Sequence, residues 1–401
     1  MSGGVQHEGR TGPIDPVLVI GAGPGGLAAA AALGRRGVRA VVLERDEVAS
    51  SWRRHYDRLH LHTTRRLSGL PGLPIPRRAG RWVSRDDLVQ YLEEYVEHHG
   101  LQVRTGVEVT RLDRVDGSWQ LHTSDGTLTA SEVVVACGFN HTPVPPRWPG
   151  VESYPGEVLH ACDYRDAVPY RGRDVLVVGS GNTGAEIAVD LEEGGASRVR
   201  LAVRTTPHIV RRANLGWPSQ GTGILVRRLP VRLVDRIARV VERTSVPDLS
   251  VHGLPRATTG LYSRVKEGAL PIQDVGLVAA VQAGRVEPVA AVESFDGPEV
   301  LLADGSRITP EVVLAATGYQ RGLEPLVGHL GVLDARGCPT ARGSRTAPSA
   351  PGLWFLGYTN PISGMLRELR LDAVRIARAV GRRRRTAGRA ATTADPGMDV
   401  S

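Results

Sequence analysis

The 401-residue chain is 41% hydrophobic and 23% charged, a balance that suits a folded protein and excludes a low-complexity one, and its length allows two or three domains with separate cores. Net charge is +8, carried almost wholly by arginine with Lys266 the single lysine. Aromatic residues are only 4% and do not interleave with the arginines as single-strand binders require, so the expected partners include no nucleic acid.

Residues 1–15 read as a disordered, polar tail without the apolar core of a signal peptide. Val17-Leu18-Val19-Ile20 is an unbroken apolar run, the mark of a strand buried on both faces. GAGPGG follows, with Gly21, Gly23 and Gly26 in the GxGxxG register and Pro24 and Gly25 between them. An alanine-rich helix over 27–33, a stop at Gly37 and a second strand over 39–43 lead to Glu44 and Arg45. Gly21 allows the tight turn, Gly23 lets backbone approach a pyrophosphate, and Gly26 lets helix and strand pack closely. The helix N-terminus supplies free N–H groups and a positive dipole end. Glu44, 23 residues after Gly21, can accept from ribose hydroxyls and disfavours a 2′-phosphate.

A long loop region carries Ser51, Trp52 and YDRLHLHT (56–63), then a Pro/Gly-rich stretch to Pro76. Ser84 caps a helix expected to end near His99, with Leu88, Tyr91, Leu92 and Tyr95 on its apolar face. Strands near 102–113, 117–123 and 127–135 are joined by Asp116-Gly117 and Asp125-Gly126 hairpin turns. EVVVACG (132–138) ends a buried strand, and 143–149 is a proline-rich linker. The opening pattern then returns: a strand over 174–178, GSGNTG over 179–184, a helix over 185–191 and a strand over 198–203. Residues 223–243 form a basic amphipathic helix, read as a domain helix with a solvated arginine face in preference to a membrane-surface one. EVVLAATGY (311–319) is another buried strand, 354–358 a further one, 366–380 a helix, and 382–401 a disordered basic tail.

The second glycine loop ends on a cation. Arg204, 25 positions after Gly179, is followed by Thr205 and Thr206, a guanidinium and two hydroxyls suited to a 2′-phosphate. Ser180, Gly181, Asn182, Thr183 and Gly184 complete that loop, Asn182 and Thr183 being expected to donate to a pyrophosphate. Two nucleotide sites, one prepared for NADPH, imply electron transfer between cofactors, the other most simply FAD. Cys137, Cys162 and Cys338 are odd in number and widely spaced, which provides neither a CxxC pair for disulfide reduction nor a metal or disulfide framework, and fits a cytoplasmic location. No run of about 18 apolar residues occurs, so no membrane span is expected.

Tyr154-x-Gly156-x-x-x-His160-x-x-x-Tyr164 resembles the FxGxxxHxxxY/F signature of flavin-containing monooxygenases, between two glycine loops as in that family. YDRLHLHT, VLVVGSGNTGAEIAVDL (175–191), LAVRTTPHIVRR (201–212) and LAATGY (314–319) resemble the plant YUCCA-type branch, and the similarity runs from about 16 to 380; ACG at 136–138 departs from the usual ATG. The resemblance implies an α/β fold of two Rossmann-like domains: an FAD domain over 16–165 and 317–381, with an NADPH domain, 166–316, inserted into it. It implies an NADPH- and FAD-dependent monooxygenase whose (hydro)peroxyflavin oxygenates a small substrate, by keto-acid decarboxylation as in YUCCA-type enzymes or by N- or S-oxygenation. A non-catalytic flavoprotein redox sensor is the alternative of another class. Ser51 and Trp52 would lie along FAD, His62 and Thr63 near the flavin and nicotinamide. The motif residues Tyr154, Gly156, His160 and Tyr164, with Thr317 and Gly318, would link the domains. His160 reads as structural, and a homo-oligomer is left open.

Overall fold

Runs of three to six valine, leucine and isoleucine residues bounded by glycine are too short for helices and too apolar for an exposed face, so they assemble as interior strands. The computed structural model describes residues 15–393. The ten strands of the parallel sheets, in chain order, are β1 (Val17–Ile20), β2 (Ala40–Leu43), β3 (Gln102–Arg104), β4 (Val133–Val135), β5 (Glu157–His160), β6 (Asp174–Val178), β7 (Arg198–Val203), β8 (Glu287–Ala290), β9 (Val312–Ala315) and β10 (Leu353–Phe355). They form two parallel sheets of like plan, β10-β4-β1-β2-β3 and β5-β9-β6-β7-β8. In each sheet the strand feeding a glycine loop is central, with Val17 opposite Ala40 in one and Asp174 opposite Arg198 in the other. The fold is therefore mixed α/β with parallel sheets.

The main helices are α1 (Pro24–Gly34), α2 (Arg85–His99), α3 (Asn182–Glu193), α4 (Ser219–Val226), α5 (Val231–Ser245) and α6 (Met365–Thr393). Alanines of α1 are buried between the first sheet and α6, whose Leu366, Leu369, Ala373, Ile376, Ala377 and Val380 recur at helical spacing and are likewise buried. In α2 the Ser84 hydroxyl accepts from Asp87 N–H at 3.1 Å, and Gly100, φ +55°, ends the helix, as its sequence demands. Tyr91 and Tyr95 on its buried face donate to the carbonyls of Leu73 and Pro71 at 2.7 and 2.6 Å, which orders the Pro/Gly-rich loop.

Several expected elements come out differently. The strand expected over 102–113 is two, β3 and Val109–Val115, because the chain turns at Gly106, φ +73°. The one over 127–135 is also two, Gly126–Ala130 in an antiparallel three-stranded sheet and β4 in the parallel one. Asp116-Gly117 makes the first hairpin turn with φ of +49° and +79°. The second turn is Ser124-Asp125, one residue earlier than expected, since Thr123 pairs directly with Gly126. β5 is the edge strand of the second sheet, so a boundary placed after residue 165 moves to before 157. The chain crosses between the sheets at Thr142–Pro143 and Tyr319–Gln320, which pair antiparallel as a two-stranded ribbon.

The last helix runs through Thr393 where disorder from 382 was expected. Within it, Arg383 is tied to the first sheet: its Nε lies 2.8 Å from Oε1 of Glu132, a carboxylate 2% exposed whose other oxygen accepts from Trp354 Nε1 at 2.7 Å. Residues 1–14 and 394–401, expected to be tails, lie outside the described residues. The amphipathic segment 223–243 is α4 and α5, broken before Val231 by Pro230. Of its expected packing face, Leu233, Val234, Ile237, Val240 and Val241, only Val234 is buried.

Candidate functional site

The first glycine loop leaves no room for side chains on its inner side. Gly21 has φ +102°, and a Cβ there would lie 2.8 Å from the Ala136 carbonyl; a Cβ on Gly26 would lie 1.8 Å from the Gly21 carbonyl. Gly23 faces open space and is the N-cap of α1, with Pro24 at the first helical position, so the free N–H groups at that helix end are approachable. Gly25 packs against Leu369 of α6. Glu44 is nearly buried, and its carboxylate braces the loop by accepting from Ala22 N–H at 2.7 Å and Asp46 N–H at 3.0 Å. Arg45 is exposed and pairs with Asp46. Ser51 and Trp52 lie on a short helix, Ser50–Arg53, held over the loop by Ala49 N–H donating to the Ala22 carbonyl at 3.2 Å.

The second loop repeats this construction. Gly179 has φ +124° and sits against the Ala316 carbonyl, Gly184 against the Gly179 carbonyl, and Gly181 faces open space. Ser180 Oγ donates to the Thr205 carbonyl at 3.3 Å, joining the loop to the end of β7. Arg204 and Thr205 are exposed beside it and Thr206 is half-buried; among the described residues Arg204 has no ion-pair partner. Thr183 is half-buried on the first turn of α3. Asn182 departs from expectation: its Nδ2 donates to the Pro271 carbonyl at 3.1 Å and its Oδ1 accepts from Gln273 N–H at 2.7 Å. Its amide clamps the neighbouring strand and is not directed at a pyrophosphate. Both loops thus present an open glycine at a helix N-terminus, a cradle that fits a dinucleotide phosphate in each.

Between the two loops, α3 turns three acids at i, i+4 and i+7 toward the segment 56–62 and the motif tyrosine. Glu186, 3% exposed, accepts from Tyr56 Oη at 3.0 Å, and its Oε1 lies 2.8 Å from His62 Nε2. Asp190 accepts from Tyr164 Oη at 2.6 Å, and Glu193 pairs with Arg58. Burial, reinforced by the Glu186 charge, pushes the Tyr56 phenol well above its ordinary pKa. His62 Nδ1 is buried with no partner among the described residues. Thr63 is less free, its hydroxyl sharing a 2.7 Å hydrogen bond with Ser68.

The loops over 56–82, 207–222 and 360–366 meet. Gln220, buried on α4, accepts from Thr64 N–H at 3.1 Å and donates to the Ser363 carbonyl at 2.9 Å, and Arg81 donates to the Gly216 carbonyl at 2.6 Å. Trp82, paired in register with Thr64, lies between two guanidinium groups, Arg81 at 5.1 Å and Arg212 at 4.8 Å from its ring centre. Arg212 is half-buried; burial pulls its pKa down, with Glu186 and Tyr56 acting the other way, and its Nε has no partner among the described residues. Tyr56, Glu186, Gln220 and Arg212 were not singled out from the sequence. Only the acid spacing 186, 190, 193 within an apolar helix could have drawn attention to the first pair.

The motif residues are structural in their contacts. Tyr154 donates to the Pro310 carbonyl and packs edge-on to Phe295 at 5.2 Å. A Cβ on Gly156 would strike the Tyr154 ring at 2.6 Å. His160 is buried, its Nδ1 accepting from Cys162 N–H at 3.1 Å and its ring edge-on to Tyr319; burial lowers its pKa, so it stays neutral. Thr317 Oγ1 donates to the Val144 carbonyl at 2.6 Å and Gly318 accepts from Val144 N–H at 3.0 Å, tying together the two crossings. Burial pushes the Cys137 and Cys162 thiols up to about 11, which leaves neither a ready thiolate nucleophile.

A family model for pyridine nucleotide-disulphide oxidoreductases matches residues 18–215. The chain is 35% identical over 361 residues to indole-3-pyruvate monooxygenase YUCCA1 of Oryza sativa subsp. japonica, with 88% of this chain and 89% of that protein covered. It is 32% identical over 375 residues to probable indole-3-pyruvate monooxygenase YUCCA9 of Arabidopsis thaliana, covering 91% and 88%. Among solved structures it resembles a flavin-containing monooxygenase from Stenotrophomonas maltophilia, with a TM-score of 0.69 at 24% identity, covering 92% of this chain and 98% of that one; at that identity the likeness is one of fold.

Proposed function

The chain belongs to the flavin-containing monooxygenase family, within its YUCCA-type group, and from that premise we propose its substrate class and the roles of its residues. It is a flavin-dependent monooxygenase using FAD, NADPH and dioxygen, which sets aside a non-catalytic sensor. The sheet around Gly21–Gly26 would form the FAD domain and the sheet around Gly179–Gly184 an NADPH domain inserted into it. FAD would be held by the first loop, Glu44, Ser51 and Trp52, and NADPH by the second loop, with Arg204, Thr205 and Thr206 at the 2′-phosphate. When bound and reduced by NADPH, FAD activates dioxygen for transfer of one oxygen atom.

The substrate is an α-keto acid, indole-3-pyruvate being the one that the relatives' names print. The observation supporting this is Arg212: a half-buried guanidinium stacked on Trp82, without an acidic partner among the described residues, where the three loops meet. A planar fork in that setting suits a carboxylate. His62 Nε2 lies 2.8 Å from one Glu186 oxygen, Tyr56 fixes the other, and the buried Nδ1 of the same ring, without a partner among the described residues, is left to face a substrate. Gln220 and Ser363 hold the walls together and limit water entry. The balance is that keto acid, dioxygen, NADPH and a proton give the acid one carbon shorter, carbon dioxide, water and NADP⁺.

With indole-3-pyruvate and isotopically labelled dioxygen, one labelled atom should enter the shortened acid, with release of carbon dioxide. Arg212→Met should raise KM for the keto acid about 10- to 100-fold, as loss of a charge-assisted hydrogen bond implies, leaving FAD content and substrate-free NADPH oxidation unchanged. An N-oxide or S-oxide from an amine or thioether, without decarboxylation of any keto acid, would overturn this reading in favour of N- or S-oxygenation.

A further inference from the structure

α5 is organised into three stripes, and one of them has no partner. Val231, Val234, Asp235, Ala238 and Glu242 face inward: the apolar members pack against Leu261, Tyr262 and Val265, Asp235 accepts from Tyr262 N–H at 2.6 Å, and Glu242 lies 2.8 Å from His208 Nδ1. Arg232, Arg236, Arg239 and Arg243 follow the same helical spacing on the outside. Beside them runs an exposed apolar stripe, Leu233 (44% exposed), Ile237 (39%) and Val240 (63%), and Leu225 of α4 (70%) and Leu229 before Pro230 are exposed as well. Both acids of the helix are turned inward, and none of the four outer arginines forms an ion pair among the described residues.

A core helix would have covered Leu233 and Ile237, and a solvated helix would not carry them. We propose that this face docks on a membrane surface bearing anionic headgroups, the apolar stripe entering the headgroup–acyl boundary and the arginines reaching phosphates. The charge distribution selects this occupant over a second copy of the chain. A two-fold contact through the stripe would bring four unpaired arginines toward another four without an intervening acid, whereas an anionic bilayer neutralises them. Among the described residues no helix is long and apolar enough to cross a membrane, so the association is peripheral. Such docking would hold the enzyme where apolar substrates partition, independently of which substrate it oxidises.

The test is co-sedimentation of the FAD-loaded enzyme with phosphatidylcholine vesicles and with equimolar phosphatidylcholine–phosphatidylglycerol vesicles. The expected result is binding to the second and little to the first, weakened by about 1 M salt, where the Debye length falls to about 3 Å. Leu233→Asp/Ile237→Asp should reduce the bound fraction at least tenfold, and the single change Arg232→Gln more mildly, about fivefold. Both variants alter exposed side chains outside the site, so flavin content and NADPH-dependent turnover should stay unchanged and report that they are folded. The proposal is overturned if wild type sediments with neither vesicle, if the double aspartate variant sediments equally well, or if the stripe instead holds a concentration-dependent dimer that the aspartates dissolve.

Discussion

The two glycine loops are nearly the same object in different surroundings. In each, the first glycine is seated against an alanine carbonyl, the last against the carbonyl of the first, and the middle one faces open space. Their surroundings diverge. α1 is alanine-rich and enclosed by the first sheet and α6, and its loop is braced by the buried carboxylate of Glu44. α3 buries one apolar face and turns Glu186, Asp190 and Glu193 toward the segment 56–62 and Tyr164, while Arg204 stands exposed at the end of β7. One turn design thus serves two purposes. The enclosed copy suits a cofactor that stays, and the open copy with a free cation suits one that exchanges.

The largest effect should come from adding a methyl group to the tightest glycine of each loop. Gly26→Ala and Gly184→Ala place a Cβ 1.8 and 1.9 Å from a backbone carbonyl, which neither loop can absorb without moving; the expected cost is ~3 kcal/mol or more. Gly26→Ala should purify without flavin colour. Gly184→Ala should keep its flavin and lose reduction by NADPH at least a hundredfold in a stopped-flow assay. Loss of flavin in both would break the comparison, because the loops would then share one cofactor.

A smaller change tests the charge difference. Arg204→Gln should raise KM for NADPH about 10- to 100-fold and leave NADH oxidation unaltered, as loss of a charge-assisted contact to a 2′-phosphate requires. An equal rise with both nucleotides would place the guanidinium elsewhere on the cofactor.

The smallest effect concerns the enclosure of the first loop by α6. Burial raises the pKa of Glu132 above its ordinary value, against the pull of Trp354 and Arg383. An acid whose folded pKa is raised is better protonated in the fold than unfolded, so it lowers stability as pH rises through that window. Arg383→Met removes the compensating charge and should widen the window. The expected loss is about 1 kcal/mol at neutral pH, since Arg383 is partly solvated, and the difference in Tm from wild type should shrink as pH falls toward the carboxylate range. A difference in Tm that does not change with pH would show that only the packing of the arginine stem matters.

Much of this architecture could be read locally. The two glycine loops, the capped helix α2, the Asp116-Gly117 turn and the identities of Glu44 and Arg204 follow from residues within one element of each other. Where the reading slipped, a neighbour far along the chain was responsible. Asn182 looked like a phosphate donor until the strand Ile272–Asp274 came to meet it. The Arg382–Arg385 run looked like a tail, yet Arg383 pairs with Glu132. Residues 102–113 and 127–135 each looked like one strand, although each contributes to two sheets.

Turn chemistry, capping and the alternation of apolar and polar residues are short-range properties, and the amino-acid order by itself determined them, along with which loop ends on an acid and which on a base. What covers an apolar face is not such a property. The seam of α6 and the stripe of α5 have the same periodic signature, yet the first is buried against α1 and the second is bare. The meeting of Tyr56, His62, Glu186, Gln220 and Arg212 belongs to the same class. Helical periodicity records that a face is apolar or charged, and only the path of the chain through space decides what it will meet.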